Sequence, residues 1–189
     1  MPPKVKITKS DIIKTALELV RINGEQAINA RAIASALNCS TQPIFSNFAT
    51  MEQLKGEVIA SAYELYLGFL QNDAESGKYP QYKAFGMAYI RFAKEENQLF
   101  KLLFMCDRDG AEFVASPDFE ASVEIIMHAN NISKEKAERM HFEMWAWVHG
   151  IATMLATSYL SLEWELISNM LTDVYQGIRY KHITEEAQK

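Results

Sequence analysis

The chain has few cysteines and no segment suited to crossing a membrane. Its 189 residues include only two cysteines, Cys39 and Cys106, and such sparse, widely spaced cysteines are typical of a reducing compartment. It has no apolar stretch of about eighteen residues and no apolar run after a basic N-terminal segment. Residues 145–162 come closest, but polar residues such as His149 and Thr153 interrupt them. We therefore expect a cytoplasmic protein without a membrane span.

Catalytic and metal-binding motifs are also missing from the sequence. It contains no His-Glu-x-x-His, no Cys-x-x-Cys and no glycine-rich phosphate loop. Glu138 and His141 have the carboxylate–histidine spacing of di-iron helical bundles, but that chemistry needs a second such motif and two further glutamates. The nearest candidate, Glu124 with His128, has the wrong offset. We therefore expect no enzyme, no cofactor and no metal. Stoichiometric iron or zinc in the purified protein would instead favour a metal-dependent enzyme.

Charge is divided unevenly along the chain. The whole sequence carries a net charge of −5, yet residues 1–50 hold six basic side chains against three acidic ones. That segment therefore has a net charge of +3, and the remainder carries −8. A positive segment is where DNA phosphates would be met, although an ordinary solvated face would carry the same surplus.

Helical periodicity runs through the chain, and no alternation typical of strands is visible. Gly24 marks the end of the first helix, and residues 77–80 form the clearest break in the pattern. The pattern predicts an all-α protein. Four helices are expected to begin at capping residues: Thr8, Thr50, Ser116 and Ser133.

The most informative segment covers residues 30–54. Ile33, Ala34 and Leu37 give a short helix one apolar face. Asn38 stands where the chain must reverse, and asparagine can end a helix because it tolerates a left-handed backbone. The segment therefore begins as a helix followed by a tight turn.

A second short helix follows that turn. Ser40 and Thr41 are placed to cap it, and Pro43 is tolerated in its first turn because the N–H there has no helical partner. Two helices joined in this way predict a helix-turn-helix, whose second helix enters the DNA major groove. Three apolar residues are expected to anchor the second helix: Ile44, Phe45 and Phe48.

Residues 7–59 resemble the N-terminal domain of the TetR family of transcription regulators. The resemblance lies in a first helix ending at Gly24, the Ala-Ile-Ala sequence at 32–34, Cys-Ser at 39–40 and the recognition-helix sequence at 43–48. It implies an N-terminal three-helix DNA-binding domain whose third helix reads DNA.

Four positions depart from the family pattern. Ser46 stands where the family often has tyrosine or arginine, and Asn47 stands where it often has histidine. The family often has tyrosine where Phe45 stands, with a hydroxyl that touches a phosphate, and a lysine near Met51 at the start of the fourth helix. DNA binding is therefore predicted from the fold pattern, with some typical phosphate contacts replaced. The candidate DNA-binding residues are Arg31, Ser40, Thr41, Gln42, Phe45, Ser46 and Asn47.

The C-terminal part carries a second resemblance. Residues 147–150 read Trp-Val-His-Gly, similar to the Trp-x-His-Gly signature of one class of TetR-type C-terminal domains. The resemblance implies a helical effector-binding and dimerisation domain. The long helix around this motif is apolar nearly all round, so it needs a cover on two faces, and Gly150 would let a partner helix approach closely. The last helix offers a stripe for pairing across a two-fold axis: Leu162, Leu166, Met170, Val174 and Gly177.

The inner helices are rich in phenylalanine and methionine, which suit an adaptable apolar pocket. The same residues also suit an ordinary core. Arg91 and Arg108 are the only cationic candidates besides histidine, so we expect a largely apolar effector with one polar or anionic group. The candidate ligand-binding residues are Phe92, Phe104, Met105, His128, Trp145 and His149.

Together these features predict a homodimeric, ligand-responsive transcription regulator, a repressor acting on a palindromic DNA operator. Residues 1–50 would form the helix-turn-helix domain, and residues 51–189 the effector-binding and dimerisation domain. A small, largely apolar effector would change the separation of the two recognition helices through the fourth helix. The alternative is a small-molecule-binding or interaction protein of the same fold that has lost operator binding.

Overall fold

The computed structural model describes residues 7–106 and 116–184. This part of the chain contains nine α-helices, a short 3₁₀ turn at Glu25–Ala27 and no strand, so the predicted all-α class is confirmed. The helices are α1 (Lys9–Asn23), α2 (Ala30–Ala36), α3 (Gln42–Asn47), α4 (Met51–Glu75), α5 (Gln81–Glu95), α6 (Asn97–Phe104), α7 (Pro117–Asn130), α8 (Lys134–Ala156) and α9 (Trp164–Thr184).

The first helix begins and ends as the sequence predicts. The Asp11 backbone N–H donates to Thr8 Oγ1, and the Thr8 N–H donates to Asp11 Oδ2 at 2.9 Å, which completes a capping box. At the other end Gly24 has a φ of 81°, a conformation that favours glycine. Local chemistry therefore fixes both ends of α1.

Other helix ends agree only in part. Ser133 caps α8, since its hydroxyl accepts from the Lys136 N–H at 3.5 Å. Ser116 occupies the cap position of α7 with Pro117 next to it, but the Ser116 side chain makes no capping hydrogen bond, so the expected cap is wrong in that detail. The long helix α8 ends at Ala156, and the chain then turns into a left-handed conformation at Ser158.

The described chain divides into two compact units. The first contains the chain up to Leu65 together with Glu96–Cys106; the second contains Tyr66–Glu95 and the described chain after Cys106. The chain therefore passes from one unit to the other within α4. These units reflect packing, so the functional division between residues 50 and 51 stays a prediction.

The first unit is built around α1. Its apolar residues Ile12, Ala16 and Val20 recur every four residues and are fully buried. They face α2, α3 and α6. The helix-turn-helix segment therefore rests on α1 as its support.

The second unit is built around α5 and α8, which pack on each other and on α7 and α9. Gly86 on α5 lies close to α9: a Cβ built there would meet the side chain of Leu171 at 3.3 Å. Fully buried apolar residues such as Met87 and Met140 fill the unit. In the part of the chain that the structure describes, no helix is long and apolar enough to cross a membrane.

Candidate nucleic-acid interface and effector cavity

The turn between α2 and α3 has the geometry that the sequence predicts. Asn38 has a φ of 50°, which places it in the left-handed region that asparagine tolerates. Beyond it, the Cys39 N–H donates to the Ala34 carbonyl at 3.0 Å. The backbone therefore reverses while satisfying a carbonyl at the end of α2.

Thr41 occupies the cap position of α3 but does not cap it with its side chain. Its backbone is helical, with φ −72° and ψ −10°, whereas a capping residue normally has an extended backbone that aims its oxygen at the helix. The expected hydroxyl cap at Thr41 is therefore wrong, while Pro43 lies in the first turn as predicted.

Two of the three predicted anchors hold α3 in place. Ile44 and Phe48 are buried, but Phe45 is 55% exposed, so its assignment as an anchor is wrong. The reason is geometric: residues four apart share a helix face, and Phe45 lies about 100° round from Ile44. Its exposure leaves it on the outward face together with Gln42 and Ser46, at positions i, i+3 and i+4.

The structure places all seven candidate DNA-binding residues on α2, the turn and α3. Arg31 and Ser40 are exposed and Thr41 is half-buried. Ser46 Oγ donates to the Gln42 carbonyl at 2.9 Å, and Asn47 Nδ2 donates to the Pro43 carbonyl at 2.7 Å. These two side chains are therefore already oriented by their own helix.

Some of the basic side chains in this unit form ion pairs with carboxylates. Arg21 contacts both Glu96 and Glu18, and Lys9 pairs with Glu57. Arg31, by contrast, has no salt bridge with any residue in the described ranges. It is therefore the best placed of the candidate residues to meet a phosphate.

In the second unit, α8 carries a stacked pair of predicted ligand-binding residues. The rings of Trp145 and His149 are 5.1 Å apart and nearly parallel, and His149 Nδ1 lies 2.8 Å from the Tyr89 hydroxyl on α5. Burial lowers the pKa of His149, so the ring is neutral at pH 7. Trp145 remains 39% exposed and offers a face to another molecule.

A second tyrosine–histidine pair lies further along the same two helices. The Tyr82 hydroxyl is 2.9 Å from His141 Nδ1. Burial lowers the pKa of His141 to about 4 and raises that of Tyr82, so both groups are neutral at pH 7. Tyr82 was not predicted as a site residue. Tyr82 and Tyr89 are seven residues apart, and their partners His141 and His149 are eight apart, so each pair of like residues shares one helix face, a pattern that is visible in the sequence.

A cavity of about 420 Å³ lies among α4, α5 and α7. Its described lining includes six apolar and four polar residues, and none of the six predicted ligand-binding residues is among them. These lining residues are Leu67, Leu70, Gln71, Ala74, Glu75, Gln81, Phe85, Pro117, Asp118 and Ala121.

The predicted ligand-binding residues are only partly brought together. Phe92 is fully buried, with its ring 5.5 Å from that of Tyr66. Phe104 and Met105 belong to the first unit, and His128 is exposed on α7. Trp145 and His149 are brought together by the stacking of their rings.

The remaining candidates from the sequence are the cationic residues and the possible metal ligands. Arg91 Nη2 lies 2.6 Å from Asp73 Oδ1, and its guanidinium lies over the Phe69 ring. Arg108 lies outside the described residues. Glu138 pairs with Lys134, and within residues 7–106 and 116–184 no group of three or more potential ligands could hold a metal ion.

Comparison with known proteins identifies a family domain in the C-terminal part of the chain. Residues 82–173 match the family model described as the tetracyclin repressor-like C-terminal domain; the match begins in α5 and ends in α9. The narrower Trp-x-His-Gly class stays a prediction. None of the curated proteins matches the chain. The tetracyclin repressor-like domain, carried on an all-α chain, places this protein in the TetR family of regulators.

Proposed function

We propose that the protein is a ligand-responsive transcription regulator that acts in the cytoplasm as a homodimeric repressor. The observation that carries this proposal is the combination of a tetracyclin repressor-like domain at residues 82–173 with a helix-turn-helix geometry at α2 and α3. A capped α1 supports that helix pair, and the pair presents an exposed polar face.

In this proposal α3 enters the major groove and reads base edges. Gln42, at the exposed start of α3, is suited to a bidentate contact with adenine, with Thr41 beside it. The exposed ring of Phe45 is suited to apolar contact with a thymine methyl group. The remaining candidates are proposed to bind phosphate or sugar: Arg31, Ser40, Ser46 and Asn47.

The homodimer is proposed to form through α8 and α9. Leu166 on α9 is 47% exposed, and Met170 and Val174 continue its stripe as half-buried residues. A Cβ built at Gly150 or Gly177 would meet no atom within 4 Å. Two such surfaces related by a two-fold axis would form a four-helix interface, with the recognition helices about 34–36 Å apart.

The effector is proposed to bind in the cavity among α4, α5 and α7. A cavity of 420 Å³ lies within the range of about 300–1,000 Å³ typical of small-molecule sites. Asp118 in its wall accepts a hydrogen bond from Tyr66 at 3.2 Å, and the Tyr66 ring is 5.9 Å from Tyr89. Tyr89 in turn contacts His149, which stacks on Trp145. Tyr66, Tyr89, His149 and Trp145 therefore form a series of contacts that leads from the cavity wall at Asp118 to α8, although none of these four residues lines the cavity.

Thermodynamic linkage between effector binding and DNA binding determines which form of the protein the effector binds more tightly. An inducer that releases DNA must bind more weakly to the DNA-bound protein than to the free protein. The helix α4 contributes to both compact units, so it is the element proposed to adopt two positions.

Capture of genomic DNA tests the function directly. The purified protein is incubated with sheared DNA of its source organism, and the recovered fragments are sequenced. We expect enrichment of a few sites sharing a palindrome, and loss of that enrichment with Gln42→Ala combined with Arg31→Ala. No enrichment from a folded dimer would favour the alternative, an interaction or small-molecule-binding protein of this fold without operator binding.

A further inference from the structure

The outward face of α3 combines one aromatic ring with a hydroxyl whose hydrogen is already in use. Phe45 is 55% exposed there, while Ile44 and Phe48 are buried and anchor the helix without it. Ser46 Oγ donates its hydrogen to the Gln42 carbonyl at 2.9 Å. A serine hydroxyl has a single hydrogen to donate, so Ser46 is left to act toward another molecule as an acceptor.

Phe45 faces the DNA whenever α3 reads the major groove. The ring lies three residues after Gln42 on the same helix face, so a groove that meets the Gln42 amide also meets the ring. A phenyl ring forms no conventional hydrogen bond, and polar base-edge groups that lost their water against it would stay unpaired, which is costly. The apolar group that bases present in the major groove is the methyl group at C5 of a pyrimidine. The ring is therefore suited to a methyl group and poorly suited to the polar base edges.

A pyrimidine C5 methyl group occurs in two kinds of base pair. Thymine carries one opposite adenine, and 5-methylcytosine carries one opposite guanine. Each of these base pairs also presents an exocyclic amino group in the major groove, on adenine N6 or on cytosine N4. An amino group is a donor, which is what the acceptor at Ser46 requires. Uracil and cytosine keep the same hydrogen-bonding groups but lack the methyl group.

We propose that Phe45 reads a pyrimidine C5 methyl group in each operator half-site, so that thymine and 5-methylcytosine are accepted at one position while uracil and cytosine are disfavoured. The inference rests on the proposed function and goes beyond it, because it makes operator affinity depend on cytosine methylation. A site with cytosine at this position is bound weakly, and methylation of that cytosine strengthens it.

Exchange of single bases in a selected duplex tests the proposal. The full chain first selects binding sites from a random library of duplex DNA. Each thymine of the selected duplex is then replaced by uracil, which removes one methyl group and keeps the base pairing. We expect one position per half-site at which uracil weakens binding roughly three- to fivefold, the effect of one buried methyl group. If uracil weakens binding at no position, the proposal is wrong.

Cytosine at the sensitive position provides the second arm of the test. The thymine–adenine pair is replaced by a cytosine–guanine pair, and the duplex is made with either cytosine or 5-methylcytosine. We expect the methylated duplex to bind more tightly by a similar factor, roughly three- to fivefold, because the two duplexes differ only in the methyl group. A loss with uracil and no gain from 5-methylcytosine would restrict recognition to thymine and overturn the dependence on methylation.

Variants assign the effect to the ring. Phe45→Ala is expected to bind the thymine and uracil duplexes equally. Phe45→Leu keeps an apolar side chain, so it should retain part of the discrimination even if the alanine variant binds too weakly to measure. Ile22→Ala removes another exposed apolar side chain of the same compact unit and is the matched control, with full discrimination expected. Full discrimination in both Phe45 variants would assign the methyl contact to another residue and overturn the proposal.

Failure of this proposal is distinguishable from failure of the proposed function. If the folded protein selects no sequence from the library, the proposed function is wrong and this inference is wrong with it. If the protein selects a palindrome that it binds equally well with and without the methyl groups, the proposed function stands and only the reading of a methyl group by Phe45 is wrong.

Discussion

Arg21 on α1 and Glu96 before α6 form a bidentate ion pair. Arg21 Nε lies 2.9 Å from Glu96 Oε2, and Nη2 lies 2.6 Å from Oε1. The side chains are only 30% and 17% exposed, so the pair is partly shielded from water. It helps to explain why residues 96–106 belong to the same compact unit as α1.

Removing the charge of Glu96 is expected to destabilise the protein. Glu96→Gln keeps the shape but replaces two charge-assisted hydrogen bonds, which should lower the free energy of unfolding by about 1.5–3 kcal/mol. Denaturation in urea measures the change. The matched control is Glu25→Gln, because Glu25 pairs with Lys55 at an exposed position, where the loss should stay below about 0.5 kcal/mol. Equal losses in both variants would contradict the prediction.

Replacing Gln42 and replacing Arg31 are expected to change DNA binding in different ways. Gln42→Ala removes a base-edge contact and should change preference at one base pair by roughly 1–3 kcal/mol. Arg31→Ala removes a phosphate contact and should weaken binding to all sequences alike. Binding-site selection from a random library, repeated with each variant, compares the two effects. An unchanged preference in Gln42→Ala would place another residue at the base.

A charge in the α9 stripe is expected to break the dimer. Met170→Glu would place two like charges near the two-fold axis of a self-complementary interface. Sedimentation should show a monomer, with operator affinity lost. Gln176→Glu, at an exposed position outside the stripe, is the control and should remain dimeric. A stable dimer of Met170→Glu would show that the subunits meet elsewhere.

Local features of this fold were predictable from the sequence, because neighbours in the chain determine them. The Thr8 capping box and the left-handed Asn38 each depend on residues within a single turn. The predicted burial of Phe45 was wrong because a six-residue helix has too few positions to determine which face is buried.

The cavity was not predictable in the same way. Tyr66 and Asp118 meet across 52 positions of the chain, and such a contact depends on how three helices pack. Phenylalanine and methionine content could not locate the cavity, because that composition describes core and pocket alike. Trp145 and His149 were each predicted as ligand-binding residues, and they stack on each other because they lie four residues apart on one face of α8.

Trp145 is expected to affect the ligand response more than folding. Its indole ring is 39% exposed and stacks on His149, so Trp145→Phe keeps a ring but weakens that stack. We expect a normal fold, normal operator affinity and a weaker release of DNA by the effector. Circular dichroism checks folding first, and titration of labelled operator then measures release. If a folded Trp145→Phe variant binds and responds to an inducer unchanged, Trp145 has only a structural role.

His141 is expected to make stability depend on pH. Burial lowers the pKa of His141 to about 4, whereas an unfolded histidine titrates near 6.5. Between these values the unfolded chain takes up a proton that the folded chain refuses, so acidification favours unfolding. The stability present above pH 6.5 should fall by about 3 kcal/mol by pH 4 through this residue alone.

His141→Gln isolates that contribution, since glutamine does not titrate and can still accept a hydrogen bond from Tyr82. Unfolding in urea at several pH values between 4 and 7 should give a flatter pH dependence for this variant than for the original chain, whatever its stability at pH 7. Carboxylates contribute to both curves and largely cancel in the difference. His128→Gln, at an exposed site on α7, should keep the original slope. If His141→Gln also keeps that slope, His141 is protonated in the folded chain as readily as in the unfolded one, and its burial does not control the acid response.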